Sequence, residues 1–216
     1  MNVLIRGVLT VRSKPDRNVA MTDVTTRDRI VAEADKLFYE RGFEHTSFAD
    51  IADAVGISRG NFYHHFKSKD AILDAVIDAR AARTRQMLER WDAASSSPLG
   101  RIRSFIRIVV TNQASIMRHG CPVGTLCTEL AKVGHPAQPQ ASQLFTLFRT
   151  WLRRQFTLLG RKADADALAM HVLAFSQGVA VLAHAFHDKR FVEQEVERMC
   201  AWLDGIAADS ARVSGD

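Results

Sequence analysis

Apolar residues recur at intervals of three and four along most of this chain, the spacing that places them on one face of an α-helix. The first such series covers residues 30–38, and Gly42 follows it as a candidate C-terminal cap. No segment shows the strict alternation of apolar and polar residues that predicts a β-strand. The pattern therefore predicts an all-α protein with about nine helices.

Two short segments after Gly42 indicate closely spaced helices. In TSFADIADAV, Ser47 precedes Asp50 by three residues, as in a capping box with Asp in place of Glu. Gly56 ends this helix, and Ser58 is placed to cap the next one, SRGNFYHHF. Two short helices joined by a glycine-containing turn are typical of a helix-turn-helix.

The remaining segments predict a larger helical body. A long helix begins at Ser68, and further helices are expected over residues 98–117, 123–131, 144–159, 163–186 and 191–207. In the last helix an apolar stripe comprises Val192, Val196, Met199, Leu203 and Ile206. We expect the last two helices to form a dimer face, because two such helices would leave a large apolar patch exposed; the alternative is a core within one subunit.

The stretch GISRG, residues 56–60, also matches the G-x-S-x-G nucleophile elbow of serine hydrolases. An elbow serine follows a strand, whereas the preceding FADIADAV is rich in alanine, spaced for a helix and contains two carboxylates. We therefore interpret Ser58 as a helix cap, with a Ser58 esterase as the alternative. No P-loop, dinucleotide fingerprint or H-E-x-x-H motif indicates another enzyme, so no catalytic residue and no cofactor is expected.

Composition and charge limit the class of protein. The 216 residues are 47% hydrophobic and 25% charged, with a net charge of +5, which favours an anionic partner such as nucleic acid. Three cysteines without a disulfide spacing, and no apolar run near the ~20 residues of a membrane span, predict a cytoplasmic protein with no membrane partner. Residues 1–24 are interpreted as a flexible basic arm, or else Met21 is the true start.

The second short helix carries suitable chemistry for DNA. Its exposed side offers Arg59, Asn61, Tyr63, His64 and Lys67, and no acidic residue occurs between positions 56 and 69. These side chains can donate hydrogen bonds to phosphates and base edges.

Residues 26–76 resemble the DNA-binding domain of the TetR/AcrR family, through FADIADAVGIS, G-x-FYHHF and KSKDAIL. The resemblance implies a helix-turn-helix head over residues 25–70 and an effector-binding and dimerisation domain over residues 71–216. It further implies a homodimeric repressor that a small-molecule or reactive effector releases from a palindromic double-stranded DNA operator. A helical ligand-binding protein without DNA function is the alternative.

The resemblance also suggests roles for individual residues. Arg59 and Asn61 would read bases, and Gly60 either lets the backbone approach DNA or packs tightly within the head. Tyr63 and His64 resemble positions that touch phosphates. The full predicted DNA-binding set is Thr46, Ser47, Ser58, Arg59, Gly60, Asn61, Tyr63, His64, Lys67 and Lys69.

HGCPVGTLCTEL is the second informative stretch. Cys121 precedes Pro122 at a predicted helix start, where the helix dipole, with Arg118 and His119, favours a thiolate suited to sensing oxidants or electrophiles. The alternative is an inert small residue at a corner. Cys127 is expected in the core or near the effector.

Aromatic residues of the predicted body are candidates for an effector pocket. The side chains proposed to line it are Phe105, Phe148, Trp151 and Phe175. No closed set of ligands with zinc-like spacing occurs, so no metal site is predicted.

Overall fold

A computed structural model describes residues 25–213, with side chains described through residue 209. This range contains ten α-helices and no strand. The helices are α1 (Thr26–Arg41), α2 (Phe48–Val55), α3 (Arg59–His65), α4 (Lys69–Ala94), α5 (Pro98–Thr111), α6 (Gln113–His119), α7 (Pro122–Lys132), α8 (Gln138–Leu158), α9 (Ala165–Phe186) and α10 (Lys189–Val213). The all-α prediction is confirmed, and the predicted arm at residues 1–24 lies outside the described residues.

Asn112 divides a segment that the sequence analysis predicted as one helix. The single helix expected over residues 98–117 is divided into α5 and α6. At Asn112 the backbone leaves helical geometry (φ −106°, ψ 12°), and the side-chain amide donates to the carbonyl oxygen of Ile108 over 3.0 Å. Asparagine competes in this way with regular helical hydrogen bonding, so it interrupts an otherwise continuous apolar face.

Local capping defines the helix-turn-helix. Ser47 and Asp50 form the predicted reciprocal capping box of α2. Gly56 ends that helix in the left-handed conformation (φ 73°, ψ 38°), which glycine adopts without steric cost. Arg29 of α1 donates to the carbonyl oxygen of Val55 over 2.8 Å, which ties the end of α2 to the first helix.

The hydrophobic core of the head continues into the body. Ile30, Phe38 and Phe62 pack in one cluster with the start of α4. Leu126 and Leu130 of α7 belong to the same cluster. The first three helices and the body therefore share one apolar core across the predicted boundary at residue 70.

The apolar stripe of α10 packs inside the subunit. Val192, Val196, Met199 and Leu203 are all buried, and α10 packs chiefly against α5. The expectation that this stripe forms the dimer face is therefore wrong, because α5 supplies the apolar partner within the same chain.

Helix α9 has a different character, since it is apolar on both sides. One side packs against α8, α6 and α5, while Met170, Val181, Leu182 and Phe186 are exposed. By length and composition alone α9 reaches the size of a membrane span, contrary to the sequence expectation. Its packing is that of a core helix with one uncovered apolar face.

Candidate nucleic-acid interface and cavity

Helix α3 presents a polar face anchored by buried aromatic rings. Phe62 and Phe66 are buried, whereas Arg59, Asn61 and His64 are exposed. Within the described residues, the side chains of Arg59 and Asn61 have no hydrogen-bond partner, so their donors are available to a ligand. The predicted orientation of this helix is confirmed.

Ser58 caps α3. Its hydroxyl oxygen accepts from the backbone N–H of Asn61 over 3.3 Å, and helix α2 rather than a strand precedes it. The geometry of a nucleophile elbow is absent here, and the esterase alternative is rejected.

Tyr63 and Lys67 extend the exposed face. Tyr63 is 51% exposed and stacks on Phe48 with ring centroids 4.9 Å apart. Lys67 donates to the carbonyl oxygen of Tyr63 over 2.7 Å. Both residues lie at the protein surface, and their phosphate contacts remain a prediction.

Gly60 lies on the open side of α3. A Cβ atom built at this position meets no other atom within 4 Å. The structure thus does not support tight packing within the head, and close approach to DNA remains the prediction for Gly60.

Three predicted phosphate contacts have protein partners. Thr46 is fully buried and donates to the carbonyl oxygen of Gly42 over 2.7 Å, so its hydroxyl cannot reach DNA in this conformation. The hydroxyl of Ser47 is engaged with Asp50. Lys69 donates to the carbonyl oxygen of Phe43 over 2.9 Å and lies 4.1 Å above that ring, so its predicted phosphate contact would require release of this bond.

A cavity of about 590 Å³ lies between the head and the body. Helices α1 and α4–α9 all contribute to its wall. Three predicted effector residues line it, namely Phe105, Phe148 and Cys121. Its volume lies in the range of small-molecule sites.

The other predicted effector residues lie elsewhere. Trp151 is buried and its indole N–H donates to Asp92 over 3.2 Å. Phe175 packs between two apolar clusters. Cys127 is buried away from the cavity wall, and burial raises the pKa of its thiol. These three residues belong to the core, which sequence periodicity could not distinguish from a cavity wall.

Cys121 occupies the predicted position at the first turn of α7. It is half-buried and caps the helix, and its Sγ atom accepts from the backbone N–H of Gly124 at 3.5 Å and the amide of Gln177 at 3.6 Å. Two N–H groups are thus directed at one sulfur atom.

Charged residues of the cavity were missed by the sequence analysis. They are Asp35, Lys36, Arg80, Arg83 and Arg90. In the sequence, most of these residues resemble ordinary surface charges of α1 and α4. Arg80 offered one clue, because it falls on the apolar stripe of α4 and is only 7% exposed.

Helix α7 connects the cavity to the head at both of its ends. Near its start, Tyr39 donates to the carbonyl oxygen of Gly120 over 2.9 Å, and Arg80 donates to that of Pro122. Farther along, the carboxylate of Glu129 accepts from the backbone N–H groups of Phe43 (3.0 Å) and Glu44 (2.9 Å). The loop before α2 is thus held by a side chain of the body.

Comparisons with known proteins agree with this architecture. Residues 30–76 match the family model of bacterial regulatory proteins of the tetR family. Residues 98–197 match the model of the C-terminal domain of LmrA/YxaF-like transcriptional regulators. Both parts of the chain therefore match models of transcriptional regulators.

Individual relatives cover most of the chain. The probable HTH-type transcriptional regulator ArpR of Pseudomonas putida is 35% identical over 165 residues, which cover 71% of this chain and 78% of that protein. The HTH-type transcriptional repressor DhaR of a Mycobacterium species is 24% identical, with 73% and 82% covered. A TetR transcriptional regulator from Legionella pneumophila has a crystal structure that superposes with a TM-score of 0.73 at 26% identity, covering 86% of this chain and 98% of that one.

Proposed function

Because this chain belongs to the TetR family of DNA-binding transcriptional regulators, we propose that it is a homodimeric repressor which leaves a palindromic operator when a small molecule fills the cavity. The observation that carries this proposal is the exposed face of α3, where Arg59 and Asn61 have no partner in the described residues. Arginine and asparagine are the side chains that grip guanine and adenine through paired hydrogen bonds.

The exposed apolar face of α9 supports a dimer. Val181 is 64% exposed and Phe186 is 72% exposed, and four of the seven large apolar side chains exposed in the described residues lie on α9. A two-fold dimer would place two α3 helices about 34–36 Å apart, one turn of DNA, so the operator is proposed to be palindromic.

Helix α7 offers a route from cavity to DNA. Its first turn forms part of the cavity wall through Cys121, Pro122 and Val123, while Glu129 holds the loop that leads into α2. A ligand that moves the first turn would therefore shift the loop that positions the helix-turn-helix.

A gel-shift titration with the DNA upstream of its own gene tests the proposal. We expect salt-sensitive binding to a palindrome, and Arg59→Ala should weaken it by about 1–3 kcal/mol, or about 5- to 150-fold. Arg107→Ala is the matched control, since Arg107 is exposed on α5, remote from α3. Binding that is absent from every upstream fragment, or unaffected by Arg59→Ala, would refute the proposed operator function.

A reactive effector is the second candidate, and the position of Cys121 favours it. The Sγ atom lies at the cavity wall with two N–H donors, so an electrophilic alkene could be added to the sulfur, with a proton taken up at the neighbouring carbon. We expect such a compound to release the operator from the wild type and not from Cys121→Ser. Equal release from both proteins would eliminate this candidate.

A further inference from the structure

We propose that the effector is an apolar, ring-containing molecule that carries an anionic group, held with its charge toward α1 and α4. This inference rests on the proposed effector role of the cavity and specifies the chemistry of its ligand. It follows from the charges that line the cavity and from how they are paired.

Positive charge exceeds negative charge in the cavity wall. Lys36, Arg80, Arg83 and Arg90 contribute cationic groups, and among the described lining residues Asp35 is the one carboxylate. Asp35 cannot balance them all, because both of its oxygens are already engaged. One accepts from Arg80 Nε at 2.6 Å, and the other accepts from Arg83.

Lys36 and Arg90 remain available. Both are exposed, and neither makes an ion pair or side-chain hydrogen bond within the described part of the chain. Cations at the edge of an apolar cleft attract anions more strongly than the same groups on an open surface, because the low-dielectric wall focuses the field. The same groups would repel a cationic ligand.

Another part of the cavity wall is apolar. Phe105, Phe148 and Leu173 line it, and the rings of Phe105 and Phe148 are 5.4 Å apart in an edge-to-face arrangement. Such a wall suits a flat hydrocarbon or aromatic portion of a ligand. Asn112 and Gln177 also line the cavity and add amide groups, which can orient a polar linkage.

Two fluorescent probes distinguish the contribution of the anionic group to binding from that of the ring system. Anilinonaphthalene sulfonate is anionic, and N-phenylnaphthylamine is the same ring system without the sulfonate. Both are titrated into the full-length protein, and fluorescence reports their affinities. We expect the anionic probe to bind at least about tenfold more tightly at low salt, and the difference to shrink as salt screens the cations.

Charge variants test whether the cavity causes that difference. Lys36→Gln combined with Arg90→Gln should remove most of the preference and leave the neutral probe unchanged. Arg107→Gln combined with Lys162→Gln removes two exposed cations outside the cavity and should leave the preference intact.

Three outcomes would overturn the inference: equal or tighter binding of the neutral probe, a preference that survives the Lys36 and Arg90 double variant, or no binding of either probe. Operator binding is measured on the same preparations. If the wild-type protein binds the operator but shows no preference for the anionic probe, only this inference is overturned. If the wild-type protein does not bind the operator, the proposed function itself is overturned.

Discussion

At the scale of single residues, Tyr39 shows how closely the head and body meet. Its hydroxyl donates to Gly120 just before α7, and its ring packs edge-on against His119 with centroids 5.3 Å apart. Burial raises the pKa of Tyr39 from 10.0 to about 12, and the nearby Cys121 contributes to the rise.

The raised pKa predicts a loss of stability at high pH. Between about pH 10 and pH 12 the unfolded chain releases the phenolic proton of Tyr39 while the folded protein still binds it. Stability therefore falls as pH rises through this window, and below pH 10 this group contributes no pH dependence. We expect melting temperatures measured across this range to fall less steeply for Tyr39→Phe than for the wild type.

The second tyrosine of the chain is a suitable control. Tyr63 is 51% exposed on α3, and Tyr63→Phe should keep the wild-type slope. An unchanged slope in Tyr39→Phe would show that the buried hydroxyl does not cause the effect.

Which residue roles could be predicted depended on how local their causes are. The caps at Ser47 and Ser58 involve atoms three residues apart, so the sequence alone indicates them. Thr46 could not be assigned in this way, because its complete burial depends on how the helices of the head pack, even though its acceptor Gly42 is only four positions away. Lys69 likewise bonds to Phe43, which is 26 positions away in the sequence.

At the scale of secondary-structure elements, Glu129 joins α7 to the head through two hydrogen bonds. Its two oxygens accept separate backbone N–H groups, from Phe43 and Glu44. Glu129→Gln retains one acceptor oxygen and replaces the other with an amide that donates. We expect the free energy of unfolding to decrease by about 1–3 kcal/mol, measured by urea denaturation.

Glu89→Gln provides the comparison for this substitution. Glu89 is exposed on α4, so loss of its charge should change stability by less than about 0.5 kcal/mol. If Glu129→Gln were no more destabilising than Glu89→Gln, the two hydrogen bonds would contribute nothing to the link between α7 and the loop.

Helix periodicity identified buried faces but not their partners. The stripe of α10 was predicted to be buried in a dimer face, yet it packs on α5 of the same subunit. The cavity shows the same limit: Phe148 and Trp151 both lie on the buried side of α8, and only Phe148 lines the opening. Whether an apolar side chain faces a neighbour or a void depends on contacts between distant helices.

At the scale of the whole molecule, the apolar face of α9 should determine the assembly. A carboxylate at position 181 would be buried without a partner in a dimer, at a cost of about 3 kcal/mol or more. We therefore expect Val181→Glu to sediment as a monomer and to bind a palindromic operator at least tenfold more weakly, because one α3 helix would then bind alone.

Val133→Glu serves as the matched variant for this experiment. Val133 is 49% exposed at the end of α7, so a charge there meets water in either state. A dimer that persists in Val181→Glu, or one that also dissociates in Val133→Glu, would contradict the proposed role of α9.

The apolar cluster that joins the head to α7 has a practical consequence for building chimeric regulators. A graft limited to residues 25–70 would leave Ile30, Phe38 and Phe62 without Leu126 and Leu130 beneath them. The transplanted head would then expose an uncovered apolar surface in the chimera, and this surface would favour aggregation. The smallest portable unit of this regulator is accordingly discontinuous: the first three helices, the first turns of α4, and α7 from a site some fifty residues downstream.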